Sequence, residues 1–270
     1  MTATLTFEQI KQKQHKIWSS GDYNKIAWLT VPLADALCDA VDLRSGSTAL
    51  DVATGTGHVA LAAARRFCDV TGIDYVPELV EIAQQRAAAE ALDVTFRQAD
   101  AENLPYQDGA FDYVLSAIGV MFTADHQRAA DELARVCRAG GRIGVASWTP
   151  TGFIGQMLKT VARHAAPPPG ALPPPRWGSE DVVRELFGDR ISSLTCTTHV
   201  VTQRFRSPEH FAEHFLTYYG PTYMAAQTLD AERQREFRAD LAALATSHNK
   251  ATDGTVVCDW EYLIAVATRA

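Results

Sequence analysis

The sequence predicts an open, doubly wound α/β domain built on a seven-stranded, mostly parallel sheet. Three observations carry this expectation. Between residues 49 and 148 short apolar runs alternate with helix-forming stretches, which is how a parallel sheet covered on both faces reads along a chain. The first run, Ala49-Leu-Asp-Val-Ala53, opens onto two glycines, Gly55 and Gly57, and then onto the helix formers of Val59-Ala-Leu-Ala-Ala-Ala-Arg-Arg66. Glycine admits positive φ and lets a ligand press against bare backbone, and a helix start offers unpaired N–H groups. Finally, three acids, Asp51, Asp74 and Asp100, fall within or at the end of the first three runs. That is the edge where open α/β sheets hold ligands.

The elements follow in order. Helices are expected over 7–18, broken by Ser19-Ser-Gly-Asp22, and over 32–41, ended by Arg44-Ser-Gly-Ser47. Strand 49–53 leads to helix 57–67, and strand 69–74 leads to helix 77–91, where Pro77 suits the first helical position. Strand 94–98, strand 111–117 and helix 124–138 come next, and Ala139-Gly-Gly141 starts strand 142–148. Beyond Trp148 the rhythm changes. A helix is expected from Thr149-Pro-Thr-Gly152 to about 166, followed by a stiff proline-rich connector over 167–175. Helix 179–187 has Ser179 as its expected N-cap. A Thr- and Val-rich strand covers 191–205, helices cover 208–219 and 230–247, and a closing strand covers 256–268. No internal repeat is visible, so 149–250 reads as a cap threaded between late strands of one sheet.

Net charge is −7 and no block of Lys and Arg stands out, which argues against nucleic acid as a main partner and favours a small-molecule substrate. No apolar run reaches the roughly 18 residues of a membrane span, and the start lacks a basic segment followed by an apolar one. The five cysteines are scattered, with no C-x-x-C pair, as expected for free thiols in a reducing cytoplasm.

Asp74, at the end of the second strand, can accept hydrogen bonds from both hydroxyls of a ribose. Asp100, at the tip of the third, can accept the exocyclic amine of adenine while the next backbone N–H meets a ring nitrogen. The Gly-x-Gly-x-x-Ala pattern of Gly55, Gly57 and Ala60 serves a dinucleotide equally well, so an NAD-dependent oxidoreductase stays open, as does a non-catalytic adenosyl-binding protein. Asp51 and Asp100 separate the readings, because a nicotinamide site predicts neither.

Asp51-Val-Ala-Thr-Gly-Thr-Gly57, Gly72-Ile-Asp74, Gln98-Ala-Asp-Ala-Glu-Asn-Leu-Pro105 with Phe111-Asp-Tyr-Val-Leu-Ser116, and Leu133-Ala-Arg-Val-Cys-Arg-Ala-Gly-Gly-Arg142 resemble the successive motifs of class I S-adenosylmethionine-dependent methyltransferases. The first is most similar to that of the ubiquinone/menaquinone C-methyltransferase-like group. Ala53 stands where much of the wider superfamily has glycine, and the chain after 149 does not match the quinone group well. The resemblance implies one domain over 1–270: an N-terminal helical lid (1–44), a cofactor-binding core (45–148), a cap and substrate region (149–250) and a closing, antiparallel strand (251–270). It implies S-adenosylmethionine as cofactor, with S-adenosylhomocysteine as product. It places Gly55, Gly57 and the backbone of Ala53 and Thr54 at the methionine part. Asp74 would bind the ribose, Tyr75 would lie along the adenine, and Asp100 with the Ala101 N–H would read its edge. Ser116 and Ala117 would face the sulfonium, with Trp18 and Tyr23 closing over from the lid. The expected acceptor is a small molecule such as a quinone-like ring, a phenol or a secondary metabolite, methylated on O, N or C. The protein is expected to be cytoplasmic, as a monomer or homodimer.

Transfer from a sulfonium needs no obligatory catalytic side chain. His126, after the fourth strand, is the candidate general base. His210-Phe-Ala-Glu-His214 spells the H-x-x-E-H of inverted zincins, but no third ligand follows at a familiar spacing, so no metal is expected. Trp148, Phe215, Tyr218 and Tyr219 are the candidate acceptor-binding residues, with Arg176 and Trp177 as a rim.

Overall fold

The computed structural model of the chain describes residues 5–270. Seven strands form one sheet: β1 (Thr48–Val52), β2 (Asp69–Asp74), β3 (Thr95–Gln98), β4 (Phe111–Ala117), β5 (Cys137–Trp148), β6 (Ile191–Phe205) and β7 (Val256–Arg269). Their order is β3-β2-β1-β4-β5-β7-β6. Neighbours from β3 to β5 are parallel, and β7 runs antiparallel to both β5 and β6, so the closing strand is the reversed one, as expected. The order reverses between β1 and β4, and this switch point opens a crevice at the carboxyl ends of the central strands.

Short side chains let the first crossover helix lie close on the sheet. In α4, numbered after the three N-terminal helices described below, His58–Ala64 starts at Gly57, and every residue from Val59 to Ala64 is buried. The neighbouring crossover α5 (Pro77–Ala89) begins at Pro77, and α6 (His126–Val136) is capped by the Asp125 side chain, which accepts from the Arg128 N–H at 3.0 Å.

Ahead of the sheet, α1 (Phe7–Trp18) is held by a reciprocal capping box between Thr6 and Gln9. A short α2 (Asn24–Ala27) and α3 (Val31–Ala40) follow. The cap contains α7 (Phe153–His164), α8 (Glu180–Phe187), α9 (Pro208–Tyr218), α10 (Gly220–Gln227) and α11 (Ala231–Ser247). Its core is aromatic: Phe153 stacks on Trp260 of β7 at 5.9 Å, and Phe211 and Phe215 pack beside them. Lid and cap are joined at one seam. The Asp22 N–H donates to the Tyr218 carbonyl at 3.1 Å. Gly220 lies so close to Ile17 that an added Cβ would sit 2.2 Å from its carbonyl oxygen. No described helix is long and apolar enough to cross a membrane.

Several boundaries differ from expectation. β5 begins at Cys137 rather than 142, because Ala139-Gly-Gly141 extends the strand through an irregular register opposite Phe111 and Tyr113, and α6 is correspondingly shorter. Helices α2 and α10 were not expected; both are short and lack the apolar periodicity that announces longer helices. Ser179 occupies the N-cap of α8, but its side chain makes no capping hydrogen bond.

Ala53, just past β1, adopts φ +54°. A left-handed alanine costs about 1–2 kcal/mol, and glycine there would forfeit part of the gain to chain entropy. Ala53→Gly is therefore expected to raise the urea midpoint, by about 0.5–1 kcal/mol of stability. A lowered midpoint would contradict this account of the turn.

Candidate active site

The carboxyl ends of β1 to β4, roofed by α1 and the loop after it, enclose a cleft of about 950 Å³ measured to its open mouth. Asp51, Ala53, Thr54 and Gly55 line it from the first turn, Asp74 and Tyr75 from β2, Asp100 and Ala101 from the end of β3, and Ala117 from β4. Trp18 and Tyr23 line it from the lid. Gly57 and Ser116 do not line it. Gly57 is a packing glycine at φ +87°, where a Cβ would meet Ala83 and Phe96 at 3.1 Å. The Ser116 hydroxyl is buried, donating to the Val52 carbonyl at 2.7 Å and accepting from the Val120 N–H at 3.1 Å, so it ties β4 to β1 beneath the floor.

Two of the acids are deeply buried. Asp51 is 2% exposed and accepts from the Thr54 hydroxyl at 2.5 Å and the Ala60 N–H at 2.9 Å. Asp74 accepts from the Gly55 N–H at 2.9 Å and the Val76 N–H at 3.0 Å. Burial outweighs these hydrogen bonds, pushing Asp51 up to about 7 and Asp74 up to about 6. Asp100 is held differently. Lys11 of the lid donates to it at 2.7 Å and sits 2.9 Å from Glu102, bridging the two carboxylates. Tyr75 is raised by burial and then by Asp74, so it stays a phenol.

Beside the cleft lies a second cavity of about 350 Å³. The two share Trp18, Tyr23, Thr30, Ile118 and Phe122 as walls. The remaining lining is Ile26, Trp148, Ile154, Met157, Phe215, Tyr219 and Trp260, which makes an apolar, largely aromatic chamber. Ile118, at the junction, adopts φ +59° with its N–H donated to the Ala146 carbonyl at 2.8 Å. A β-branched residue in that region is strained, and the strain sits where the two spaces meet.

Residues 50–145 match the methyltransferase-domain family. A protein of Mycobacterium tuberculosis described as uncharacterised is 41% identical over 257 residues, covering 94% of this chain and 93% of that one. The demethylmenaquinone methyltransferase of Thermus thermophilus is 39% identical over 140 residues, 49% of this chain and 64% of its own. Among solved structures, a putative methyltransferase from Bacillus halodurans shares the fold, with a TM-score of 0.59 at 19% identity over 87% of this chain and 97% of that one. The chain belongs to the class I S-adenosylmethionine-dependent methyltransferases. The cleft suits that methyl donor on its own chemistry. Asp51 and Asp74 are buried carboxylates drawn toward neutrality, and a cationic, hydroxyl-rich ligand restores their ionised forms.

In this methyltransferase His126 is not placed to act as a base. It is 1% exposed and lines neither cavity, and burial, with Arg176 nearby, pushes it down to about 4. Trp177, expected at the pocket rim with Arg176, is fully buried against His126 and Phe187. Of the four acceptor-site candidates Trp148, Phe215 and Tyr219 line the chamber, while Tyr218 turns away to pack on His214 with ring centroids 5.1 Å apart. The H-x-x-E-H pair is structural. His210 accepts from the Arg206 N–H at 3.3 Å, His214 bonds the Lys25 carbonyl at 3.0 Å and Glu213 pairs with Arg238. No group of three or more metal-ligating side chains occurs among the described residues.

Sequence reasoning missed Lys11 and Gln14. Gln14 and Lys11 stand four and seven residues before Trp18, so all three share one face of α1; that spacing was a usable signal. Ile154 and Met157, three apart on α7, were missed although they share a face in the same way.

Proposed function

We propose that the chain methylates a planar, largely apolar small molecule of phenol or quinone size, seated in the aromatic chamber, by in-line displacement. The observation that carries this is the shared wall: Trp18, Tyr23, Thr30, Ile118 and Phe122 line both the chamber and the donor cleft, so a ring held in the chamber lies next to the donor. Its apolar, largely aromatic lining is that of a small-ligand site. S-adenosylmethionine supplies a sulfonium-bound methyl group that is electrophilic as it stands.

The residues divide the remaining work. Asp74 takes the ribose hydroxyls, Asp100 and the Ala101 N–H take the adenine edge, and Tyr75 lies along the ring. The backbone from Ala53 to Gly55 meets the methionine part, and Ala117 faces the sulfonium side. Gly55 admits the ligand closely, since even a Cβ there would come within 3.3 Å of Tyr23. Among the described residues no histidine, lysine or carboxylate side chain lines the chamber, so the rate rests on orientation and on exclusion of water.

The test is S-adenosylhomocysteine release with a panel of phenols, quinols and aliphatic controls, using the wild-type chain and Met157→Phe. Met157 lines the chamber and not the cleft. The substitution is expected to raise the acceptor KM about tenfold or abolish turnover, on the cost of overfilling a packed space, while S-adenosylhomocysteine affinity stays within about twofold. A variant that loses donor binding but keeps its acceptor KM would sink this reading.

A further inference from the structure

The chamber's polar side chains, Tyr23, Thr30, Tyr219 and the indoles of Trp18, Trp148 and Trp260, all carry hydrogen-bond donors. Thr30 donates its hydroxyl to the Ala27 carbonyl at 2.7 Å, and the Trp260 indole donates to Cys258 Sγ at 3.3 Å, which leaves both engaged. Tyr23, Tyr219 and Trp148 line the same space, and their hydroxyls and indole N–H make no hydrogen bond among the described residues. Tyr219 and Trp148 are 5% and 4% exposed, so both side chains are buried in the wall of this space. Both tyrosine rings stand edge-on to Trp18, at 5.5 and 5.8 Å, which groups them around a residue that the chamber shares with the cleft. Burial raises both phenols well above their ordinary value. They therefore hold their protons and donate.

We propose that Tyr23, Tyr219 and Trp148 form a donor set that holds an oxygen of the acceptor as an anion, so that the acceptor enters as a phenolate or enolate and needs no protein base. This deepens, and rests on, the placement of the acceptor in the chamber. An unpartnered donor in an apolar space is costly, and an acceptor oxygen relieves that cost. Among the described residues the chamber's side chains offer no base to a neutral hydroxyl, and their hydrogen-bond donors suit an oxyanion. The atoms balance. The acceptor gives its proton to solvent before it is seated, and its electron pair then forms the new bond to the methyl carbon. The carbon–sulfur pair stays on sulfur, so anion and sulfonium become two neutral groups. Loss of charge in the transition state is favoured where water is excluded.

The probe is 4-nitrophenol, whose ionised form absorbs visible light, titrated with the full chain in the presence of S-adenosylhomocysteine; 4-nitrotoluene is the control that lacks the ionisable oxygen. Bound 4-nitrophenol is expected to ionise at lower pH than the free compound. Tyr219→Phe is expected to weaken the phenolate about ten- to a hundredfold, the range of hydrogen bonds to charged groups, and 4-nitrotoluene by less than about twofold. Retained S-adenosylhomocysteine affinity shows that the variant is folded, because Tyr219 does not line the cleft. Trp148→Phe, expected to act in the same direction, tests the set a second way. Ionisation of the bound probe at higher pH than the free one, or equal weakening of both probes, overturns the donor set and leaves the chamber as acceptor site. Failure of both probes to bind the wild-type chain overturns the two together.

Discussion

Asp74→Ala is expected to lower the affinity for S-adenosylhomocysteine roughly a hundredfold or more in calorimetry, because two hydrogen bonds to a charged group are worth about 3 kcal/mol or more together. Each Asp74 oxygen already accepts one amide, from Gly55 and from Val76, and each keeps capacity for one ribose hydroxyl. The carboxylate thus shapes the turn and binds the ligand at once. Fold stability should change far less than affinity. Alanine orphans two amides, which costs stability, and removes a buried carboxylate that burial disfavours, which restores some. Asp74→Asn retains one acceptor oxygen and should fall between the wild type and alanine. Equal affinities across the three would remove Asp74 from the donor site and with it the reading of the β2 tip.

Donor binding should also weaken steeply in mild acid. In the free protein Asp51 is pushed up to about 7 and Asp74 to about 6, burial being the largest cause for each. The ligand's positive and hydroxyl-bearing groups favour the ionised carboxylates, so binding releases protons wherever these groups are protonated beforehand. Affinity is expected to be level above about pH 8 and to fall by up to about tenfold per pH unit through Asp51's range. It should fall more steeply below pH 6, where Asp74 joins. Stability of the free protein runs the other way. Both folded pKa values lie above the ordinary carboxyl value of 3.8, so the folded state binds protons more tightly than the unfolded one. The penalty from these groups is full above pH 7 and is relieved as pH falls through 7 and 6 toward 3.8. Calorimetry in buffers of different ionisation enthalpy, from pH 5.5 to 8.5, checks the proton release; an affinity flat across that range would remove both acids from the donor site.

Much of the cleft's lining was legible because its signals are local. Asp51, Asp74 and Asp100 sit at or near the ends of strands whose apolar runs are short and sharply bounded, and a strand's end fixes which way its neighbours face. Ala53 and Gly55 follow the first strand directly. Gly57 and Ser116 show the limit of that reasoning: each lies in the right segment, yet one packs against Phe96 and the other bonds Val52 and Val120. His126 shows it more sharply. Its position after β4 was correct, but the helix it begins turns it inward beneath Trp177.

The sequence by itself determined the strand rhythm, the bare-backbone turn, the acids at three strand tips and the family. Only the folded chain decided which aromatic side chains share a chamber. Tyr219 and Tyr218 are adjacent in the chain, and the turn from α9 into α10 sends the first into the chamber and the second onto His214. Lys11 reaches Asp100 across 89 residues, and Trp18 meets Trp260 around the chamber from opposite ends of the chain. Contacts between distant segments depend on the angles at which helices pack, and short-range periodicity carries no record of those angles.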